Sequence, residues 1–208
     1  MAGLTPQPRY SFAIVPGASL PSQSWWPELH AVINAAFLNK NYSVFPPTWT
    51  RLDPDPAKGA EGLSRELGDY GHMVIAFSAS NSPVACTGWL PYRGENWLSK
   101  VDSRGTSKVE AVPVSIDWEV CCFCVHPSAR GQGLARQLLA EMVSDIKSRG
   151  GTRLFTNYAV DETGGFWTRL GFEVQPGAGG ILAKGFKVDP DREGLRADIH
   201  FNMGMRTL

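Results

Sequence analysis

The chain has 208 residues, 20 basic and 20 acidic side chains, and a formal charge of zero. With no run of lysines or arginines it lacks the electrostatic footprint of a nucleic-acid or anionic-membrane binder, and no segment reaches membrane-spanning length. The N-terminal stretch MAGLTPQPRY has no apolar leader region, and the length suits one domain over 1–208, read as soluble and cytoplasmic.

Taken in order, Tyr10 to Val15 reads as a first strand ended by Pro16-Gly17. A helix is predicted from Ser22, with Trp25, Trp26, Leu29, Val32, Ile33, Ala36 and Phe37 on its apolar side and Pro27 in its early turn. Asn39 to Pro56 is proline-rich and aromatic, a loop over a cleft, and Ala60 to Leu67 forms a short helix. His72 to Ser78 and Val84 to Leu90 are two strands of a hairpin, with Gly88 marking a bulge. Tyr92 to Ser115 is polar and longer than an ordinary connection.

Glu119 to Val125 is a strand-length apolar and cysteine run suited to burial on both faces, stopped by His126-Pro127. Three of the four cysteines, Cys121, Cys122 and Cys124, lie in it. Strand alternation sends neighbouring side chains to opposite faces, so they read as small core residues kept reduced in an intracellular compartment, not as metal ligands. Arg130-Gly131-Gln132-Gly133-Leu134-Ala135 follows as a tight turn. A helix then carries Leu134, Leu138, Leu139, Met142, Val143 and Ile146 on one stripe until Gly150-Gly151 stops it. Arg153 to Val160 is a strand containing Asn157, and Pro176 to Gly180 a flexible turn. Ile181 to Val188 and Ala197 to Met205 are the last strands, flanking a turn at Asp189 to Glu193.

The glycine turn carries the chemistry. Two glycines one residue apart let main-chain N–H groups face a ligand without Cβ obstruction, and the helix start adds unpaired donors and a positive dipole end. That combination suits phosphate, and better a pyrophosphate. There is no GxxxxGK[ST] P-loop, and a dinucleotide fingerprint would need glycine or alanine where Arg136 stands and an acidic residue near Arg153.

The Arg-x-x-Gly-x-Ala pattern of Arg130, Gly133 and Ala135, after a strand ending in Val-x-Pro, resembles motif A of the GNAT superfamily of acetyl-CoA-dependent N-acetyltransferases. Phe166 to Phe172 (FWTRLGF) resembles its motif B, and the elements arrive in family order. The resemblance implies an α/β (α+β) GNAT fold, a mixed, mostly antiparallel sheet of about six or seven strands flanked by helices. It divides the chain into an acceptor-side half (1–115), an acetyl-CoA-binding core (116–175) and C-terminal strands (176–208). It implies acetyl-CoA as cosubstrate, its diphosphate on Arg130, Gly131, Gln132, Gly133, Leu134 and Ala135, and its pantetheine arm along the main chain of Phe123, Cys124 and Val125. Asn157 matches a position that touches that arm, and Trp167 packs on it. Glu119 falls where related enzymes carry a general-base glutamate, with Asp117 and His126 as reserves; a solvated strand-end carboxylate, or a partner for a nearby Lys or Arg, is its other reading. Trp167 stands where many relatives have a tyrosine that protonates the leaving thiolate; an indole N–H is no proton source, so the general acid is unassigned. Tyr158 is nearby in sequence.

The expected activity is acetyl transfer to a small-molecule amine by direct attack, by a monomer or homodimer without nucleic-acid or membrane partners. The aromatic front half, with Trp25, Trp26, Tyr42, Phe45 and Trp49 as pocket candidates, favours a neutral or aromatic acceptor over a polycation. A protein or peptide acceptor, with the Tyr92–Ser115 loop as its groove, is the second enzyme reading; a non-enzymatic CoA-binding protein is the third.

Overall fold

In the computed structural model, which describes residues 9–94, 116–187 and 191–208, seven strands form one sheet in the order β1-β2-β3-β4-β5-β7-β6. They are β1 (Tyr10–Pro16), β2 (His72–Ser78), β3 (Pro83–Pro91), β4 (Asp117–Val125), β5 (Arg153–Ala159), β6 (Glu173–Leu182) and β7 (Ile199–Thr207). Every neighbouring pair is antiparallel except β4 and β5. The expected mixed, mostly antiparallel sheet with flanking helices is what forms.

Helices cover both faces of β4, which is why its apolar run is unbroken. On one face α1 (Trp26–Phe37) and α2 (Pro56–Leu67) bury Leu29, Ile33, Leu63 and Leu67 against Met73, Ile75 and the cysteines. On the other, α3 (Leu134–Ser148) packs Leu134, Leu138, Met142 and Ile146 against Val74, Trp89 and Trp118. Gly133 caps the start of α3 with φ of 76°. At its end the Gly151 amide bonds the Ile146 carbonyl and the Gly150 amide the Lys147 carbonyl, both at 2.9 Å, a Schellman closure. Two single-turn helices, α4 (Val160–Thr163) and α5 (Phe166–Arg169), connect β5 to β6.

Several boundaries differ from the sequence expectations. α1 begins at Trp26, not near Ser22, because Gly17–Ser22 winds as a separate 3-10 turn around Pro21. α2 begins at Pro56, ahead of Ala60: Asp55 caps it, accepting from Ala57 N at 2.8 Å, and Pro56 occupies the first turn where no N–H is needed. Pro176 to Gly180 is not a turn but a bulged part of β6. Between Val174↔Gly204 and Gly179↔Asn202 the glycine-rich strand takes four residues against one on β7, and positive φ at Gly177 and Gly179 absorbs the excess. Past Leu182 the chain leaves the sheet earlier than expected; residues 188–190, and with them part of the Asp189–Glu193 turn, lie outside the described residues. So does 95–115, most of the Tyr92–Ser115 connection that the peptide-acceptor reading invoked.

Candidate active site

The site originates in two irregularities of β4. Along β3 the register runs Leu90↔Glu119, Trp89↔Val120 and Gly88↔Cys121, then resumes at Cys86↔Cys124. Two residues of advance on β3 are matched by three on β4. A bulge was expected at Gly88, but the extra residue is on the partner strand. Cys122 takes it up with φ of 49°, a left-handed conformation uncommon for a residue with a Cβ. The bulge also overturns the alternation expected for the cysteines: Cys121, Cys122 and Cys124 all join the core on the α1–α2 face, together with Cys86.

The second irregularity is on the opposite margin. β4 pairs with β5 only through Asp117↔Arg153, Trp118↔Leu154 and Glu119↔Phe155. Beyond Glu119 the strands part, leaving a wedge with β4 main chain on one wall and Thr156 to Ala159 on the other. A cavity of about 980 Å³ occupies the wedge and runs to the glycine turn. Phe123, Cys124, Val125, Arg130, Gly131, Gly133, Leu134, Ala135, Asn157, Trp167 and Glu119 all line it. Gln132 is not among the lining residues; its side chain accepts from the Tyr10 hydroxyl and donates to the Ser128 carbonyl at 3.4 Å, bracing the turn from behind.

The turn has the properties the sequence asked of it. Gly131 and Gly133 both sit at φ of 76°, and a Cβ on either would meet nothing within 4 Å. The space over them is open to a ligand. The main-chain amides of Gly131, Gln132, Gly133, Leu134 and Ala135 find no acceptor among the described residues. Five free donors at the positive end of a 15-residue helix fit a diphosphate. Arg130 serves differently: its guanidinium donates to the Val125 carbonyl at 3.2 Å and the Ala36 carbonyl at 3.1 Å, tying the turn to β4 and α1.

Glu119 sits at the vertex of the wedge, fully buried. Its partner is Arg93, just past the end of β3. Arg93 Nε and backbone N reach Oε2 at 3.1 and 3.3 Å, Nη2 bonds Oε1, and Asn157 Nδ2 donates to Oε1 at 3.2 Å. Burial works against the charge on Arg93, but the Glu119 carboxylate outweighs it and holds the guanidinium more firmly protonated than usual. Of the reserves, Asp117 is taken up by Arg153, with Nε to Oδ1 at 2.7 Å. His126 is bonded to the Ser128 hydroxyl at 2.7 Å, in the turn after β4, and is not among the residues lining the cavity.

Trp167 is buried in an aromatic cluster, edge-on to Phe123 at 5.4 Å and to Phe172 at 5.3 Å. Tyr158 lines the same cavity, its ring 6.2 Å from that of Trp167. Of the five aromatics proposed for an acceptor pocket only Phe45 reaches the cavity. Trp25 packs on Phe77, Trp26 donates to the Pro56 carbonyl at 2.7 Å, Trp49 to the Glu193 carbonyl at 2.7 Å, and Tyr42 is exposed. Residues not singled out from sequence also line the space: Arg51, Glu66, Arg93, Lys40 and Glu162. Arg93 was within reach of strand arithmetic, since a residue just past Leu90 falls beside Glu119 once β3 and β4 are paired. Arg51 and Glu66 meet across a loop and a helix and leave no local signal.

With this geometry in view, the likeness to known proteins is specific. The family model described as an acetyltransferase (GNAT) domain matches residues 71–174, from β2 through motif B. Among curated proteins nothing matches the chain. Solved structures align over nearly its whole length. A ribosomal-protein-alanine N-acetyltransferase from Brucella melitensis superposes with a TM-score of 0.57 at 19% identity, over 95% of this chain and 99% of its own. A phosphinothricin acetyltransferase from Sinorhizobium meliloti, in complex with AcCoA, gives 0.57 at 17%, over 96% and 89%. A GNAT-family acetyltransferase from Streptococcus pneumoniae gives 0.57 at 12%, over 96% and 99%. At such identities the likeness speaks to the fold.

Proposed function

From the premise that this chain belongs to the GNAT family of acetyltransferases, we propose that it transfers an acetyl group from acetyl-CoA to the amine of a small molecule by direct attack. Acetyl-CoA supplies the acetyl group as a thioester. The observation that carries the reading is the continuity of one cavity from the five free amides of the glycine turn, along the unpaired margin of β4, to the buried carboxylate of Glu119. The amides from Gly131 to Ala135 hold the diphosphate. The main chain of Phe123, Cys124 and Val125 pairs with the pantetheine arm and orients the thioester, while Asn157 and Trp167 bound the arm from the β5 side.

Glu119 is the general base of this proposal. Its four lone-pair sites carry four donors, so the ammonium reaches it in place of one of the two longer contacts, at 3.2 and 3.3 Å. The nitrogen gives up two protons in all. One leaves through Glu119 and one ends on the departing thiolate, as the N–C bond forms and the S–C bond breaks. Solvent can protonate a thiolate whose conjugate acid has a pKa of about 8.5, so no side-chain acid is required. Within the chain, 1–115 is the acceptor-side half, 116–175 the donor-binding core and 176–208 the C-terminal strands. Four free cysteines suit a reducing compartment, and we place the protein in the cytoplasm; no described helix is long and apolar enough to cross a membrane.

The test is acetyl-CoA titration followed by an amine panel with detection of released thiol. Release on small amines supports the reading. Binding without release on any acceptor, or release only on peptides, overturns it.

A further inference from the structure

Where aromatic character was expected at the acceptor end, the cavity presents charge. On the side contributed by α2 and the loop before it, Arg51 Nη2 donates to Glu66 Oε2 at 2.6 Å. The two side chains are 23% and 21% exposed, and both line the cavity. That bond is the one hydrogen bond of the Arg51 guanidinium among the described residues, so its Nε and Nη1 have no acceptor there. The neighbouring cations are engaged elsewhere. Arg93 places Nε and Nη2 on Glu119, and Lys40 gives its ammonium to the Trp49 carbonyl.

Position and sign both matter. The Arg51 charge acts on the thiols of Cys121 and Cys122, so this guanidinium stands beside the β4 bulge, next to the stretch along which a thioester would lie. Glu66 also feels Arg93, so Arg51, Glu66, Arg93 and Glu119 form a row alternating in sign. Such a row complements neither a bare cation nor a neutral ring. It complements a molecule carrying both charges close together: a carboxylate for the spare Arg51 donors and an ammonium directed at Glu119.

We infer that the acceptor is an amino acid or a close analogue, a primary amine with a free carboxylate a few bonds from the nitrogen, and that Arg51 selects it by pairing with that carboxylate. Glu66 keeps the arginine in place. The inference rests on the small-amine reading above and narrows it.

The experiment uses the full chain with acetyl-CoA and matched acceptor sets: free amino acids, their primary amides, the corresponding decarboxylated amines, and short peptides. Released thiol is the readout. Free amino acids are expected to exceed their amides and decarboxylated amines by about 10- to 100-fold in kcat/KM, the range of a charge-assisted pair. Arg51→Gln should raise KM for the acids and erase that preference, leaving acetyl-CoA affinity unchanged. Should that variant fail to fold, the wild-type panel alone decides. Equal or better turnover of the amides or decarboxylated amines overturns the inference and leaves the small-amine reading standing. Release only on peptides, or on no acceptor, overturns both.

Discussion

Among the described residues, three of the four donors on the Glu119 carboxylate belong to Arg93, whose side chain is 8% exposed against 1% for its partner. The pair closes the vertex of the wedge, and it joins the residue proposed for proton transfer to the end of β3. A buried ion pair is costly to break from one side, because the remaining charge has neither water nor partner. Arg93→Ala should therefore cost about 3–5 kcal/mol in urea unfolding. The double variant Arg93→Met with Glu119→Gln should recover most of it. A single-variant loss below about 1 kcal/mol, the scale of an exposed pair, would show that the pair is not desolvated in solution.

Glu119→Gln keeps the shape and removes the basicity. Turnover is expected to fall about a hundredfold or more, the usual share of a general base, with acetyl-CoA affinity unchanged. The limb of the pH–rate profile that reports the base should disappear with it. An unaltered profile would return Glu119 to a purely structural partnership with Arg93.

Gly133→Asp attacks the diphosphate cradle. The native φ of 76° disfavours any side chain, and the new carboxylate would stand over the free amides as a like charge. Acetyl-CoA binding by calorimetry should vanish while the circular dichroism of the fold persists. Retained binding would refute the assignment of the turn.

Glu66 gives a pH-dependent prediction. Burial alone would raise its carboxyl, but the Arg51 charge prevails and holds it below the ordinary 4.5. A carboxyl with a depressed folded-state value contributes stability that is complete above its unfolded value and fades as pH falls through the folded one. The stability difference between wild type and Glu66→Gln should be constant from pH 7 down to about 5 and should shrink below about 4.5. Denaturant midpoints at pH 7 and pH 3.5 check it; equal differences at the two would exclude the linkage.

The cysteines should differ in reactivity. The neighbouring Cys86 thiol holds the Cys122 thiol below its ordinary value against the opposing effect of burial, and the Arg51 charge adds to this. Burial pushes Cys86 well up. Cys122 also lines the cavity. A small alkylating reagent followed by peptide mass mapping should mark Cys122 first, and saturating CoA should slow it. Earlier labelling of Cys86 would contradict the assignment.

Local chemistry made the glycine-turn end of the cavity legible in the sequence. Gly131 and Gly133 need their conformation, the Leu134–Ile146 stripe needs its core, and Asn157 and Trp167 follow in fixed order, so each signal is contained within a few residues. The far end of the cavity depends on distant partners. Whether Trp26 or Trp49 faces the cavity is decided by which backbone carbonyl its indole finds, and nothing near either in sequence specifies Pro56 or Glu193. The bulge at Cys122 was missed for a related reason. It arises from the mismatch between two strands, and a run of apolar residues conceals an added one.

The join between the two halves of the sheet has only three rungs, Asp117 to Glu119 against Arg153 to Phe155. The molecule is thus a half-open book with a short spine, with unpaired amides at the glycine turn on its open side. A molecule hydrogen-bonded along the inner margin of β4 acts there as a further strand, and by mass action it tightens both covers at once. Acetyl-CoA bound at the proposed place should stiffen the sheet, and slowed amide exchange between Val120 and Val125 is where the stiffening would register.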